Sequence, residues 1–255
     1  MSLAPAVEIT PVPEHGRRFT ARRAVRLGDV DASARMRFDA LARFLQDVAT
    51  DDADDAGMDG EFGWLVRRTM VSTVRSPRLY ENLVLTTFCS GYGRSWAERC
   101  TSVTGDRGAH VETVSLWVAI DPTSFRPVAL DHRFHDVWGE TAAGRKVGPR
   151  LQIGRPGEGA ESRGRWPIRV ADIDPYRHTN NAAQWAAMEE LLGLDADRRG
   201  RAEVEFVAPI EVGHDVELLA TPVGRAGVCA WLAETGVDGP PAVLTSLRFT
   251  PAESA

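Results

Sequence analysis

The feature that most constrains this fold is an internal repeat. Gly28-Asp29-Val30-Asp31, followed by a helical stretch from Met36 to Val48, returns in the second half as Ala171-Asp172-Ile173-Asp174, followed by a helical stretch from Asn181 to Leu192. In the first stretch Phe38, Leu41, Leu45 and Val48 recur at three- and four-residue steps, the apolar stripe of an amphipathic helix. In the second, Trp185, Met188 and Leu192 mark the apolar face, and Ala182, Ala183, Ala186 and Ala187 allow close approach to a sheet. Four strand-like runs follow each helix: Thr69–Val74, Asn82–Cys89, Trp96–Val103 and Val111–Ile120, then Ala202–Phe206, Asp215–Ala220, Val228–Glu234 and Ala242–Phe249. Their alternation argues strands, and the breaks at Ser76-Pro77, Gly91-Tyr92-Gly93, Val212-Gly213-His214 and Asp238-Gly239-Pro240-Pro241 argue turns. Pro77 and Pro209 fall at corresponding places in the two halves. The repeat is far longer than the period of a solenoid.

Each half therefore reads as a strand, a long helix and several antiparallel strands. That predicts an α+β chain of tandem (double) hot-dog type, each half a long central helix wrapped by a curved antiparallel β-sheet. The expected division is a flexible leader at 1–15, an N-terminal half at 16–139, a linker at 140–165 and a C-terminal half at 166–255. The linker is rich in Gly, Pro and Arg and lacks periodicity. It carries Arg145, Lys146, Arg150, Arg155, Arg163 and Arg165 against Glu158 and Glu161, so it is locally basic on a chain of net charge -6.

That net charge does not favour a nucleic-acid partner. No apolar run approaches the roughly 20 residues that span a bilayer, so no membrane insertion is expected. Cys89, Cys100 and Cys229 lack C-x-x-C spacing and read as reduced core thiols of a cytoplasmic protein, with a Cys89–Cys100 bridge disfavoured. No cofactor is expected, because neither a phosphate-binding glycine loop nor a nucleophile elbow is present. His132 and His135 have no ligand cluster around them, and Asp51-Asp52-Ala53-Asp54-Asp55 reads as a solvated loop, since it lacks calcium-loop spacing.

Several motifs carry a resemblance. Gly63-Trp64-Leu65-Val66, Val74-Arg75-Ser76-Pro77, Gly93-Arg94-Ser95-Trp96 and Ser115-Leu116-Trp117-Val118 in the first half are similar to the acyl-ACP thioesterases of plants and bacteria. In the second half the run Asp172 to Asn181 resembles that family's D-x-D-x-N-x-H-x-N-N stretch. The resemblance implies hydrolysis of the thioester between a fatty acyl chain and acyl carrier protein. It also implies a first half that shapes the acyl tunnel and a second half that carries catalysis, with Asp174 and His178 at catalytic positions. Two positions depart from the pattern: Tyr176 stands where the family has Asn, and Pro209 where it has Glu, with Ile210 at a neighbouring position that is Cys in some members.

Thioester hydrolysis needs a carboxylate to activate water or attack the carbonyl, a donor for the oxyanion, and a dry channel. Asp174 is the candidate base or nucleophile, and His178, four residues on, can orient water or protonate the leaving thiolate. Amides at the start of the helix beginning near Asn180 and Asn181 are candidate oxyanion donors. Tyr176 offers a phenol where the family uses an amide, and Glu189 or Glu190 are weaker substitutes for the missing Glu. The plainer reading makes Asp172 or Asp174 turn residues and Asn180 or Asn181 a helix cap. Asp29 and Asp31 have Arg35 at the position matching His178, so the first half reads as catalytically silent. The rivals are an acyl-CoA thioesterase and a non-hydrolytic acyl-binding or dehydratase-like protein, for which Asp47 on the first helix is a candidate carboxylate. A chain of two pseudo-equivalent halves can be complete as a monomer, and such units also pair further, which leaves a homodimer open.

Overall fold

Among the described residues ten strands form one antiparallel sheet in the order β1-β3-β4-β5-β2-β7-β10-β9-β8-β6. The computed structural model describes residues 7–58, 60, 62–194, 196–224, 226–234 and 240–252. The strands are β1 (Phe19–Ala24), β2 (Gly63–Arg75), β3 (Asn82–Tyr92), β4 (Trp96–Gly105), β5 (His110–Ile120), β6 (Glu161–Arg165), β7 (Gly200–Phe206), β8 (Val216–Val223), β9 (Gly227–Glu234) and β10 (Ala242–Pro251). The helices are α1 (Phe38–Asp55), α2 (His132–Trp138), α3 (Asn181–Gln184) and α4 (Ala186–Leu192). The strand order runs from β1 inward to β2 and repeats in mirror sequence from β7 outward to β6. The halves meet where β2 pairs with β7, from Arg68↔Glu205 to Thr73↔Gly200. Of the expected turns, residues 238 and 239 lie outside the described residues, as do residues 1–6 of the leader.

Strand alternation sends one set of side chains to each face. One face receives Leu83, Leu85, Val111, Val204, Leu232 and Leu247, packed with Phe38, Leu41, Leu45 and Val48 of α1 and with Trp185 and Met188. Each such side chain contributes about 1.5–3 kcal/mol by leaving water. Phe38 and Trp185 meet with ring centroids 5.7 Å apart, so the helices of both halves share one core.

Two helical expectations need correction. α1 does not stop near Val48 but runs through the aspartate cluster to Asp55. The cluster is not a solvated loop, because cations from three other segments neutralise it. Asp52, 1% exposed, accepts from Arg17 Nε (2.7 Å), Arg99 (2.6 Å) and the Trp138 indole (2.9 Å). Asp51 pairs with Arg23, and Asp55 with Arg17. The second helix is interrupted at Trp185, whose amide bonds Ala182 O at 3.1 Å in a tighter turn, splitting it into α3 and α4.

The expected linker is a strap on the opposite face. Glu205 accepts the amides of Gln152 and Ile153, Arg68 donates to Arg150 O at 3.2 Å, and the Trp231 indole donates to Gly154 O at 2.9 Å. Burial pushes the Glu205 carboxyl above its ordinary value, against those two amides. Arg145 is consumed by buried Glu98. Residues 161–165 are strand β6, antiparallel to β8, where Arg165 pairs with Asp215. Arg150 and Arg155 stay exposed.

Candidate active site

The motif around Asp174 folds into a side-chain-pinned turn. Asp174 Oδ1 accepts the amides of Tyr176 (2.9 Å) and His178 (3.1 Å), while Asp174 N donates to His178 O at 2.9 Å. Arg177 takes the left-handed conformation that closes it, at φ 66°. The first half contains the same turn: Asp31 Oδ1 accepts Ser33 N (2.8 Å) and Arg35 N (3.0 Å), with Ala34 at φ 57°. Both aspartates are therefore turn residues, and Asp174 has one further oxygen, Oδ2, for chemistry.

The two halves differ at the last position of the turn. Arg35 is spent internally: its guanidinium bonds Asp31, Ala196 O (2.7 Å) and Leu194 O (2.5 Å). The His178 imidazole makes no hydrogen bond with a described residue, and it lines a cavity of about 350 Å³ together with Asp174, Tyr176 and Asn181. The other walls are mostly apolar, including Trp64, Val66, Ile120 and Phe206 from β2, β5 and β7. Val66, Asn181 and Phe206 also line a small cavity of about 20 Å³. Trp117 is a wall common to that small cavity and to a second large one of about 360 Å³ between α1 and α2, lined by Phe62, Phe134, Trp138 and Cys89. Burial pushes the Cys89 thiol up to about 11, so it is a protonated wall residue rather than a nucleophile. The chain's three cysteines are free.

Asp174, Tyr176, His178 and Asn181 thus come together, and Asn180 does not join them. Its side chain caps α3, accepting from Ala182 N at 2.8 Å, which removes one amide from the expected oxyanion set. Neither Glu189 nor Glu190 lines the cavity. Glu189 accepts from Phe38 N (2.8 Å) and Arg198 (2.6 Å), tying the two helical segments together, and Glu190 faces a separate surface cleft. Asp47 is exposed on α1. Pro209 lines the cavity and Ile210 is buried, its carbonyl accepting Thr179 N at 2.7 Å. The matching bond in the first half joins Met36 N to Pro77 O, so the counterpart of Pro77 is Ile210, one residue beyond Pro209. His135 packs its ring on Tyr92 at 4.8 Å.

Two residues beside the Asp174–His178 turn were missed from sequence. Gln184 lines the cavity, held by bonds from its Nε2 to Thr179 O (3.0 Å) and from Thr245 to its Oε1. Glu211 stands opposite His178 in an isolated antiparallel bridge, which puts both side chains on one side of the pair. Neither carries a motif, and only the folded pairing marks them.

A single antiparallel sheet with its helices on one face makes a hot-dog-like fold, with a mostly apolar cavity beside a carboxylate and a histidine. The sequence matches the acyl-ACP thioesterase N-terminal domain over residues 16–137 and the C-terminal domain over residues 158–239. The chain belongs to the acyl-ACP thioesterase family. Its fold is shared by an acyl-ACP thioesterase from Bacteroides thetaiotaomicron (TM-score 0.76, 17% identity, 91% of this chain and 96% of that one). The 12:0-ACP thioesterase from Umbellularia californica is similar in the same sense (TM-score 0.70, 17% identity, 93% and 98% covered). In sequence, an uncharacterized protein of Mycobacterium tuberculosis, Rv2001, is 25% identical over 212 residues, 81% of this chain and 83% of that protein. Among the described residues no helix is long and apolar enough to cross a membrane.

Proposed function

We propose that this protein hydrolyses fatty acyl thioesters at the Asp174–His178 turn. The observation that carries the reading is the wall that Asp174, His178 and Asn181 form on an apolar cavity, which shares Trp64 with a second cavity of similar size. Burial of each chain methylene stabilises the complex by about 0.8 kcal/mol, and exclusion of bulk water strengthens the polar groups at the wall. Asp174 Oδ2 and the His178 imidazole take the proton of a water as its oxygen attacks the thioester carbon. The carbonyl oxygen becomes an oxyanion beside the Asn181 amide, the C–S bond breaks, and the proton passes from His178 to the departing thiolate. The products are a fatty acid and a free thiol.

The preferred carrier is acyl carrier protein. Carrier proteins are acidic, and Arg150 and Arg155 of the strap remain exposed for such a surface. One observation favours a second, non-hydrolytic reading: Asp174 holds its turn as Asp31 does in the half where Arg35 replaces the histidine. Thiol release from acyl carrier protein and CoA thioesters, by wild type and Asp174→Asn, separates the readings. Turnover lost in the variant supports the site, and the faster thioester names the carrier. Turnover that survives the variant keeps the hydrolase and removes Asp174. No release from any substrate leaves an acyl-binding protein.

A further inference from the structure

The mouth of the cavity is built from two exposed aromatic rings, one from each half. Phe125, on the connection between β5 and α2, is 51% exposed, and Tyr176, inside the Asp174 turn, is 67% exposed. The rings meet edge to face with centroids 6.2 Å apart and planes at 90°. Both line the same cavity as Asp174 and His178.

Neither ring is loosely placed. Phe125 sits at φ 55°, in the left-handed region that a bulky residue rarely adopts. Its amide bonds Asp121 O at 2.9 Å, and Asp121 Oδ1 pins the amides of Thr123 (3.1 Å) and Ser124 (2.7 Å) in the same loop. Tyr176 is held by the Asp174 turn. Two exposed rings held by hydrogen-bonded turns are poor core residues, and backbone strain such as that at Phe125 clusters where ligands are gripped. Arg67 lines the mouth, while Arg126 and Arg177 are the chain neighbours of the two rings, and none of the three forms an ion pair with a described residue.

Building on the thioesterase reading, we propose that Phe125 and Tyr176 form an entrance subsite for the phosphopantetheine arm of the substrate. The rings grip the arm's extended amide chain, and Arg67, Arg126 and Arg177 face its phosphate. The residue at the family's amide position thereby has a different role, since Tyr176 holds the arm at the lip.

The test is calorimetric binding of a non-hydrolysable thioether analogue of an acyl-CoA, with the matching free fatty acid as a ligand that lacks the arm. The Phe125→Ala/Tyr176→Ala double variant is expected to bind the analogue roughly 10-fold more weakly, the scale of one lost aromatic contact set. Fatty-acid binding changes far less, and Tyr176→Phe, which keeps the ring, restores the analogue to within about twofold of wild type. In turnover, the double variant raises KM for acyl-CoA more than it lowers kcat, and the effect shrinks with the acyl-N-acetylcysteamine thioester, which has no phosphate. Displacement of the analogue by CoA or by holo-carrier protein identifies the source of the arm, and displacement by neither overturns the assignment. Equal binding of the analogue by wild type and double variant also overturns it, as does a parallel loss for the free fatty acid, which would make the rings mere cavity wall. Wild-type protein without turnover would remove the hydrolase reading while leaving the binding comparison decisive.

Discussion

The duplicated turn supplies its own control for Asp174. Asp174→Asn keeps an oxygen that can accept the amides of Tyr176 and His178, now at 2.9 and 3.1 Å, so the turn survives while the charge is lost. The expected stability change is under about 1 kcal/mol, the scale of exchanging an ionised for a neutral acceptor at a half-buried turn. Asp174→Ala removes both bonds at about 1–1.5 kcal/mol each, roughly 2–3 kcal/mol together. At about 2–4 °C of melting temperature per kcal/mol for a chain of this size, that is a fall of roughly 5–10 °C. Asp31→Ala should destabilise at least as much, because Asp31 also holds Arg35 Nε at 3.2 Å. Activity should split the pair where stability does not. Loss of a positioned base costs about 10²–10⁴-fold in turnover, so Asp174→Asn should lose that much while melting near wild type, and Asp31→Asn should retain turnover. The assay is thiol release alongside thermal unfolding of all four variants. If Asp174→Asn hydrolyses as fast as Asp31→Asn, the second-half aspartate is only a turn residue and the catalytic assignment is wrong.

Three further outcomes follow from the same geometry. Asp52→Asn should cost about 3–5 kcal/mol in urea unfolding, because Arg17 and Arg99 lose their buried anion, whereas Asp51→Asn, at a part-exposed pair with Arg23, should cost under about 1 kcal/mol; equal losses would refute the hub. Trp117→Ala should remove the wall between the small cavity and the one under α1 and shift turnover toward longer chains, by up to about fourfold in KM per methylene newly buried; an unchanged chain-length profile would show that the cavities do not form one path. Burial disfavours the charged form of Asp39, but hydrogen bonds from Arg37 and Arg43 outweigh it and hold the carboxyl below its usual 3.8. A depressed value contributes stability that is present above the unfolded value and lost as pH falls through the folded one, so Asp39→Asn should flatten the acid limb of a melting-temperature profile below about pH 4.

The fold was legible because two signals agreed: a repeated motif and strand alternation at matching distances after it. All eight expected strand runs overlap observed strands, and β2 begins six residues before its expected start. Errors came where distant partners override local preference. Four aspartates at a helix C-terminus oppose its dipole, so residues 51–55 read locally as loop, and only Arg17, Arg23 and Arg99 make them helical. The alanines around Trp185 read as one helix, and nothing local marks the break there. Strand β6 was hidden because it is a short, exposed edge strand of Glu, Ser, Gly and Arg, without alternation to detect. In the site, the motif supplied Asp174, His178 and Asn181, which lie close together in the chain. Gln184, Glu211 and Phe125 were not legible, since each reaches the cavity or its histidine through pairing or loop geometry formed only after folding.

The pseudo-symmetry also limits where function can reside. The strand order and the aspartate turn are present in both halves, so neither can be what makes one half reactive. What remains is the difference: a guanidinium locked to its own surroundings at Arg35, against an imidazole at His178 that no described residue engages, facing a cavity. His178 is half-buried at the cavity wall, where Arg35 in the other half is tied to the carbonyls of Leu194 and Ala196. Under the proposed function this asymmetry belongs to ligand chemistry, and the turn is then a scaffold common to both halves that serves a reaction in one.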